Sequence, residues 1–440
     1  MSMLLWLACS PQGEPAAEAP STPQTHPGPP NGQMPPNPPP GGPAPPVDGG
    51  SGAGLQDPSG FPGFHDRPAP QGPRVDGTGE WSQPLRLSAD PGGGYRPQVT
   101  VGAGDEVHAV FYERADEGDL IRHRRSADGA TWTDPVHVGF DELRNWGPDI
   151  VARDDGSVVL CWDHAAEDFH SRGWLTIWDG ESWSEPEPLT ADDPAGEIGS
   201  GHIAHGLGGA LYYVWIGKKM SPDDRFKATG RIFDGESWSA PLLLSDGEQD
   251  AWHSNVERRP DGSVLAGWDI GTGGTPTTLY VVEGRDGKWG EPENLSASGP
   301  KGERPHFAFA ELDHVTWFHK EPATGPVAVY VRSGHPGAWG EAVEPSAGYG
   351  GYHFDPDIEI NADGDRVLVW GWDSGEQAEL VYAVDTGTGW SKPRRVATIG
   401  KGKPGLPSIS ASSDGDFHVV WNQGVRGSNE VYYARLANPG

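Results

Sequence analysis

The chain has 440 residues, among them 65 glycines, 44 prolines and 19 tryptophans, and a formal net charge of −31. That much negative charge repels polyphosphates and anionic lipid, which sets nucleic acid and direct binding to a membrane surface aside. The glycine and proline load points to many turns plus an unstructured stretch, and the tryptophans to a motif used repeatedly.

In chain order, Met3-Leu4-Leu5-Trp6-Leu7-Ala8 is a short apolar run ending on a small residue, followed by Cys9 and polar low-complexity sequence. This arrangement resembles a bacterial lipoprotein signal over residues 1–9. It departs from that pattern at Trp6, where an aliphatic residue is preferred, and in having no basic start. The resemblance implies that Cys9 is the lipidation site. It also implies a protein of the cell envelope, anchored at the outer membrane through its N-terminal lipid, or else secreted. No other stretch is long and apolar enough to span a bilayer. Residues 10–79 read as a disordered linker: about twenty of the prolines fall here, in runs such as Pro35-Pro36-Asn37-Pro38-Pro39-Pro40. Such sequence buries too little apolar surface to offset its ordering entropy, and favours extended conformations suited to a spacer.

From residue 80 to 440 one phrase recurs. It begins at Trp81, Trp132, Trp183, Trp238, Trp289, Trp339 and Trp390, at intervals of about 51 residues with one longer step. Seven copies at one period predict a radial repeat. Each repeat reads as four short strands: an inner strand such as Pro356-Asp357-Ile358-Glu359-Ile360, a tight turn such as Asp363-Gly364, an apolar second strand usually ending in an aromatic, and a third strand. The Trp phrase then opens the fourth. The first Trp phrase precedes every inner strand, and the last repeat stops at its third strand. The expected fold is therefore an all-β, seven-bladed β-propeller of four-stranded antiparallel blades, closed by the N-terminal strand completing the last blade. Closure of this kind removes an open sheet edge.

Ser126-Ala127-Asp128-Gly129-Ala130-Thr131-Trp132 resembles the Asp-box of sialidase-like (BNR-repeat) propellers, with weaker versions before Trp183, Trp238 and Trp289. The resemblance covers about residues 80–436. It implies architecture rather than activity, because in that family the box locks a hairpin on the face away from the active site. True sialidases have six blades, so this chain departs from them. A sialidase site would also need three arginines, a Tyr-Glu pair and an acid. Tyr95-Arg96-Pro97 echoes the family's arginine motif and Arg304 supplies a second arginine, but a third and the Tyr-Glu pair are not evident.

Alignment of the seven inner strands places Gln98, Asp149, His202, Asn255, His306, Asp357 and Ser408 at one position, followed each time by an apolar residue. That alternation predicts a polar ring near the axis. Arg96, His253, Arg304 and Asp355 precede it, and Tyr95, Trp146, Trp252, Tyr352 and His353 are expected at the rim. Asp163, His164, Asp269, His319, Lys320, Asp373 and Asn422 end second strands. Aromatic faces stack on sugar rings, while carboxylates, imidazoles and guanidiniums bond hydroxyls and acidic groups. The expected ligand is therefore a carbohydrate, with an acidic polysaccharide as the sharper form, bound by a monomer. The ligand-binding set is Arg96, Trp146, Asp149, Asp163, His164, Trp252, Asn255, Arg304, Asp355, Asp357 and Asp373. For an enzyme, a polysaccharide lyase ahead of a sialidase-type hydrolase, the catalytic candidates are His202, His253, His306, Tyr352 and His353. A protein-binding scaffold is the remaining alternative. Asp149, His202, His306 and Asp357 are ligand types for a divalent metal, the one cofactor considered. Cys161, inside Val158-Val159-Leu160-Cys161-Trp162, reads as an inert core thiol. The basic stretch at 217–229 reads as a solvated loop or an anion contact. Phosphate-loop, HExxH and Ser-His-Asp signatures are absent from the sequence.

Overall fold

Alternating apolar and polar residues, broken by Asp-Gly turns, fold each repeat into one antiparallel sheet. The computed structural model describes residues 74–75 and 80–439, apart from connections at 89–92, 116–117, 141–143, 166–170, 191–196, 219–224, 272–276, 322–324, 401 and 426–427. It contains seven sheets. The inner strands of blades 1 to 7 are Gly94–Val101, Asn145–Ala152, Glu197–His205, Ala251–Arg258, Glu303–Phe309, Tyr352–Ile360 and Lys403–Ala411. Each packs against the inner strands of its two neighbours, and that of blade 1 packs against that of blade 7, so the ring closes.

Blade 7 is completed from the other end of the chain. Leu85–Arg86 pairs antiparallel with Ser428–Leu436, Trp81 bridges to Leu436, and Ser82 N donates to Arg435 O at 2.7 Å. The first strand is thus the clasp that the repeat count implied. Seven apolar clusters hold the ring, one at each junction between adjacent blades. Trp162, Trp215, Trp268, Trp317, Trp370, Trp372 and Trp421 are all under 2% exposed, whereas of the phrase tryptophans only Trp81 is buried and the other six are part-exposed. Cys161 is fully buried with its Sγ 3.8 Å from Gly201 O, and burial raises its thiol well above the ordinary range.

Two boundaries differ from the sequence reading. Val75, inside the segment read as linker, is 1% exposed at the junction of blades 5 and 6, and Arg74 Nη2 lies 2.5 Å from Glu376 Oε2. An apolar residue amid Pro and Gly found a place in the ring, so packing begins upstream of residue 80. The inner strands also start two to four residues earlier than Pro97, Pro148, Gly201, Ser254, Pro305, Pro356 and Pro407, where the sequence placed them. In every blade a β-bulge carries the ladder across that point, for example between Tyr95 and Gln98, and between Phe354 and Asp357. Proline reads as a strand start because it cannot donate to the ladder, but a bulge accommodates it.

The aspartate turns before the fourth strands are well bonded. Asp128 Oδ1 accepts from Ala130 N at 2.8 Å and Thr131 N at 2.7 Å, and Asp179, Asp234 and Asp385 accept from two backbone amides each. These bonds hold the Asp128 carboxyl at about 2. Cys9 and residues 10–73 lie outside the described residues. Among those described, no helix is long and apolar enough to cross a membrane.

Candidate functional site

All seven bulges fall at one height around the axis, each inserting one extra residue opposite the second strand. A bulge re-aims the side chain it carries. Here it sends Arg96, His253, Arg304, Asp355 and Leu406 into a recess at the mouth of the central channel, with Gly147 completing the lining from blade 2. These six residues have φ of 45, 46, 58, 48, 47 and 58°, in the left-handed region. For the five that are not glycine that conformation costs on the order of 1 kcal/mol each. Strain repeated at one ring, and borne there by Arg96, Arg304 and Asp355 among others, marks the ring as the part of the fold that something other than folding has shaped.

The mouth is electrically mixed. His253 Nδ1 lies 2.8 Å from Asp269 Oδ1, and Asp269 is fully buried. The backbone N of Arg304 donates to the same oxygen at 3.2 Å. Burial drives both partners toward their neutral forms, lifting Asp269 to about 8 and lowering His253 to about 3, the latter helped by Arg304. Arg304 Nε stands 3.3 Å from Asp355 Oδ1, close enough to attract but not aligned as a hydrogen bond. Both Asp355 oxygens, Arg304 Nε and Asp269 Oδ2 are buried without a hydrogen-bond partner from the protein. Lys403 Nζ sits 2.5 Å from Asp373 Oδ2 on the same face. On blade 2, a Cβ built on Gly147 would lie 3.3 Å from Asp163 Oδ2 and 3.6 Å from Arg96 Nη1. Glycine therefore keeps a gap beside a carboxylate and a guanidinium.

Below the mouth, the channel is lined by Gln98, Asp149, His202, Asn255, His306, Asp357 and Ser408, one from each blade, while the residue after each is at most 6% exposed. Several of these polar groups tie neighbouring blades together. Asp149 Oδ2 accepts from Ile203 N at 2.8 Å, Asp357 Oδ2 from Ile409 N at 3.0 Å, and Ser408 Oγ from Val99 N at 3.1 Å. His202 Nδ1 is 3.4 Å from Asp149 Oδ2, and His306 Nδ1 is 3.1 Å from Asp357 Oδ1. The four metal candidates thus form two separate pairs, at blades 2–3 and 5–6. Among the described residues, no group of three or more His, Cys, Asp or Glu is placed to hold a metal ion. Asn255 Oδ1 accepts from Val256 N at 2.7 Å.

The remaining candidates divide by burial. Tyr352 is 2% exposed beside Phe354, and His353 is fully buried, its Nδ1 accepting from Trp370 Nε1 at 3.0 Å. Neither lines the recess. The strand enters the core four residues earlier than the sequence suggested, so both side chains pack there. His164 is buried with its Nδ1 3.1 Å from Asn145 Oδ1, and Asp163 and Asp373 are buried at the ends of second strands. Trp146 and Trp252 are part-exposed, the latter 4.8 Å from the Phe226 ring. Tyr95 is buried and stacks on Tyr112.

Sequence reasoning missed Leu406 and Gly147 at the mouth, and Glu257 and Glu359 in the channel. The first pair had a signal: five of the seven bulge residues precede a proline. The second lies two residues beyond Asn255 and Asp357, on the same strand face. Glu257 is exposed, Glu359 is part-buried, and both line the channel. Enclosure by the channel walls pushes the Glu257 carboxyl well up and Glu359 to about 8.

No protein-family model matches this sequence, and no curated protein matches it either. Solved structures do share its fold. An ulvan lyase described as a new polysaccharide lyase family, PL25, superposes with a TM-score of 0.53 at 13% identity, covering 80% of this chain and 95% of that one. A protein of unknown function from Dyadobacter fermentans gives 0.52 at 12% identity over 81% and 98%. The GH93 α-L-arabinofuranosidase of Fusarium graminearum, solved with arabinobiose, gives 0.50 at 11% identity over 82% and 98%. At these identities the likeness is one of fold.

Proposed function

We propose that the protein recognises a glycan, an acidic polysaccharide above all, at the mouth of its central channel. One observation carries this: strained bulge residues turn the charged Arg96, Arg304 and Asp355 and the imidazole of His253 into one recess, where buried carboxylate and guanidinium atoms lack hydrogen-bond partners from the protein. A sugar hydroxyl both donates and accepts, so a polyhydroxylated ligand satisfies both kinds of orphan at once. The fold neighbours that act on polysaccharide and arabinoside are consistent with a carbohydrate ligand. The lipoprotein-like start and Pro-rich linker favour a domain held off the outer membrane, or secreted.

A second reading, a polysaccharide lyase, draws on the His253–Asp269 pair. Once Asp269 ionises, the imidazole it orients would serve as the base for a proton next to a uronate carboxylate, whose charge Arg96 or Arg304 would neutralise. The test is a binding screen of the full chain against acidic and neutral polysaccharides by calorimetry, with absorbance from new unsaturated ends followed in parallel. Binding without absorbance supports the lectin, and both together the lyase. Neither, across the panel, refutes the glycan proposal.

A further inference from the structure

Asp355 is the odd member of the mouth ring. It is the one carboxylate among the described bulge residues, it is 3% exposed, and it occupies left-handed backbone at φ 48°. Its neighbour in the ring, Arg304, is also left-handed and has a side chain 10% exposed. The contact between them, 3.3 Å from Nε to Oδ1, satisfies neither group as a hydrogen bond, and both Asp355 oxygens stay without one. Two desolvated charges held at a misaligned distance gain little from each other for the desolvation they cost. A pair of this kind stabilises the fold weakly, and its placement facing the recess gives it another use.

We propose that Asp355 stands in for a ligand carboxylate, neutralising Arg304 until a uronate-bearing glycan takes its place on the guanidinium. The inference rests on the glycan reading above and adds the ligand's charge and the residue that sets the selectivity. A planar guanidinium can accept a carboxylate in a two-point, aligned bond, which Asp355 on its bulge does not provide. The anionic ligand therefore gains the aligned bond and displaces the poorer one. A neutral glycan leaves the lock closed and meets Asp355 only as an acceptor for its hydroxyls.

The decisive variant is Asp355→Asn. Asn is the same size and tolerates left-handed φ better than other side chains, so the bulge is kept while the competing charge goes. Calorimetry on the full chain would compare a glucuronate-containing oligosaccharide with a neutral gluco-oligosaccharide of equal length. The expected result is at least tenfold tighter binding of the acidic ligand by Asp355→Asn, with the neutral ligand unchanged or weaker. In the double variant Asp355→Asn/Arg304→Asn the gain should vanish, since it acts through Arg304. Wild-type binding with no gain in Asp355→Asn, or equal weakening for both ligands, overturns the lock and leaves the glycan reading standing. Failure of wild type and variant to bind any glycan overturns both.

Discussion

Acid should loosen the ring at the junction of blades 1 and 2. There His108 Nδ1 and His123 Nε2 are 3.1 Å apart, the rings stack at 5.3 Å, and both residues are at most 3% exposed. Glu106 faces His108 Nε2 at 3.3 Å, Arg125 holds Glu106 at 2.8 Å, and Trp178 and Trp183 wall His123. One shared proton satisfies the contact and a second cannot be accommodated. Burial lowers His108 to about 4, against a pull from Glu106, and lowers His123 to about 3 with help from His108 and Arg125. Both folded values lie below the unfolded 6.5. Between them the unfolded chain binds more protons, so this stability is complete above pH 6.5 and is lost as pH falls toward 4. At pH 5 the cost relative to pH 7 is about 2 kcal/mol per histidine, up to about 4 for the pair. The assay is urea unfolding at pH 7 and pH 5 for wild type and for His108→Phe/His123→Phe, which keeps two flat rings and removes the titration. The double variant should lose less stability on acidification, by roughly 2–4 kcal/mol. If its loss matches wild type to within about 1 kcal/mol, the pair is not an acid-sensitive element.

Three further outcomes follow from the site and the clasp. Gly147→Leu should abolish glycan binding, because its side chain would fill the gap between Asp163 and Arg96 at φ 58°, and should cost about 1–2 kcal/mol of stability. Binding retained at wild-type affinity would exclude blade 2 from the recess. Trp81→Ala should destabilise by about 3–5 kcal/mol, since Trp81 is 7% exposed and packs edge-on against Tyr382 at 5.5 Å; a thermal melt reads the loss. Any lyase activity should rise with pH through about 8, where Asp269 ionises and frees His253 Nε2 as the base. Asp269→Asn should remove that rise from the pH–rate profile.

Blade count, strand order and clasp were legible because they rest on period and position, which a repeat writes seven times. The axial ring from Gln98 to Ser408 was legible for the same reason: its alternation with buried apolar residues holds in every blade. The roles of those residues were not. Asp149, Asp357 and Ser408 serve as ties between blades, a fact set by contacts across 54, 52 and 309 residues that no spacing encodes. The bulges were hidden too. Arg96-Pro97, Arg304-Pro305 and Asp355-Pro356 read as strand starts, yet the proline follows an inserted residue in mid-strand. The rim expectation for Tyr352 and His353 differed for a related reason: the strand begins four residues before Pro356, so both lie inside it and are buried rather than standing on a loop.

The charge of the whole protein and the charge of the mouth point in opposite directions. At −31 the chain repels an acidic polymer at long range, and salt shortens that repulsion to about 10 Å at 0.1 M. Selectivity for an anion then has to arise inside the recess, where two arginines sit in low dielectric. Left bare, Arg304 would be a buried unpaired charge, which is costly. Bound tightly to a well-placed aspartate, it would be unavailable. The Asp355 bulge gives the intermediate condition: near enough to offset the charge, too poorly aligned to keep it. The backbone strain in the ring is consistent with that compromise, because relaxing either residue to ordinary strand geometry would turn its side chain away from the other.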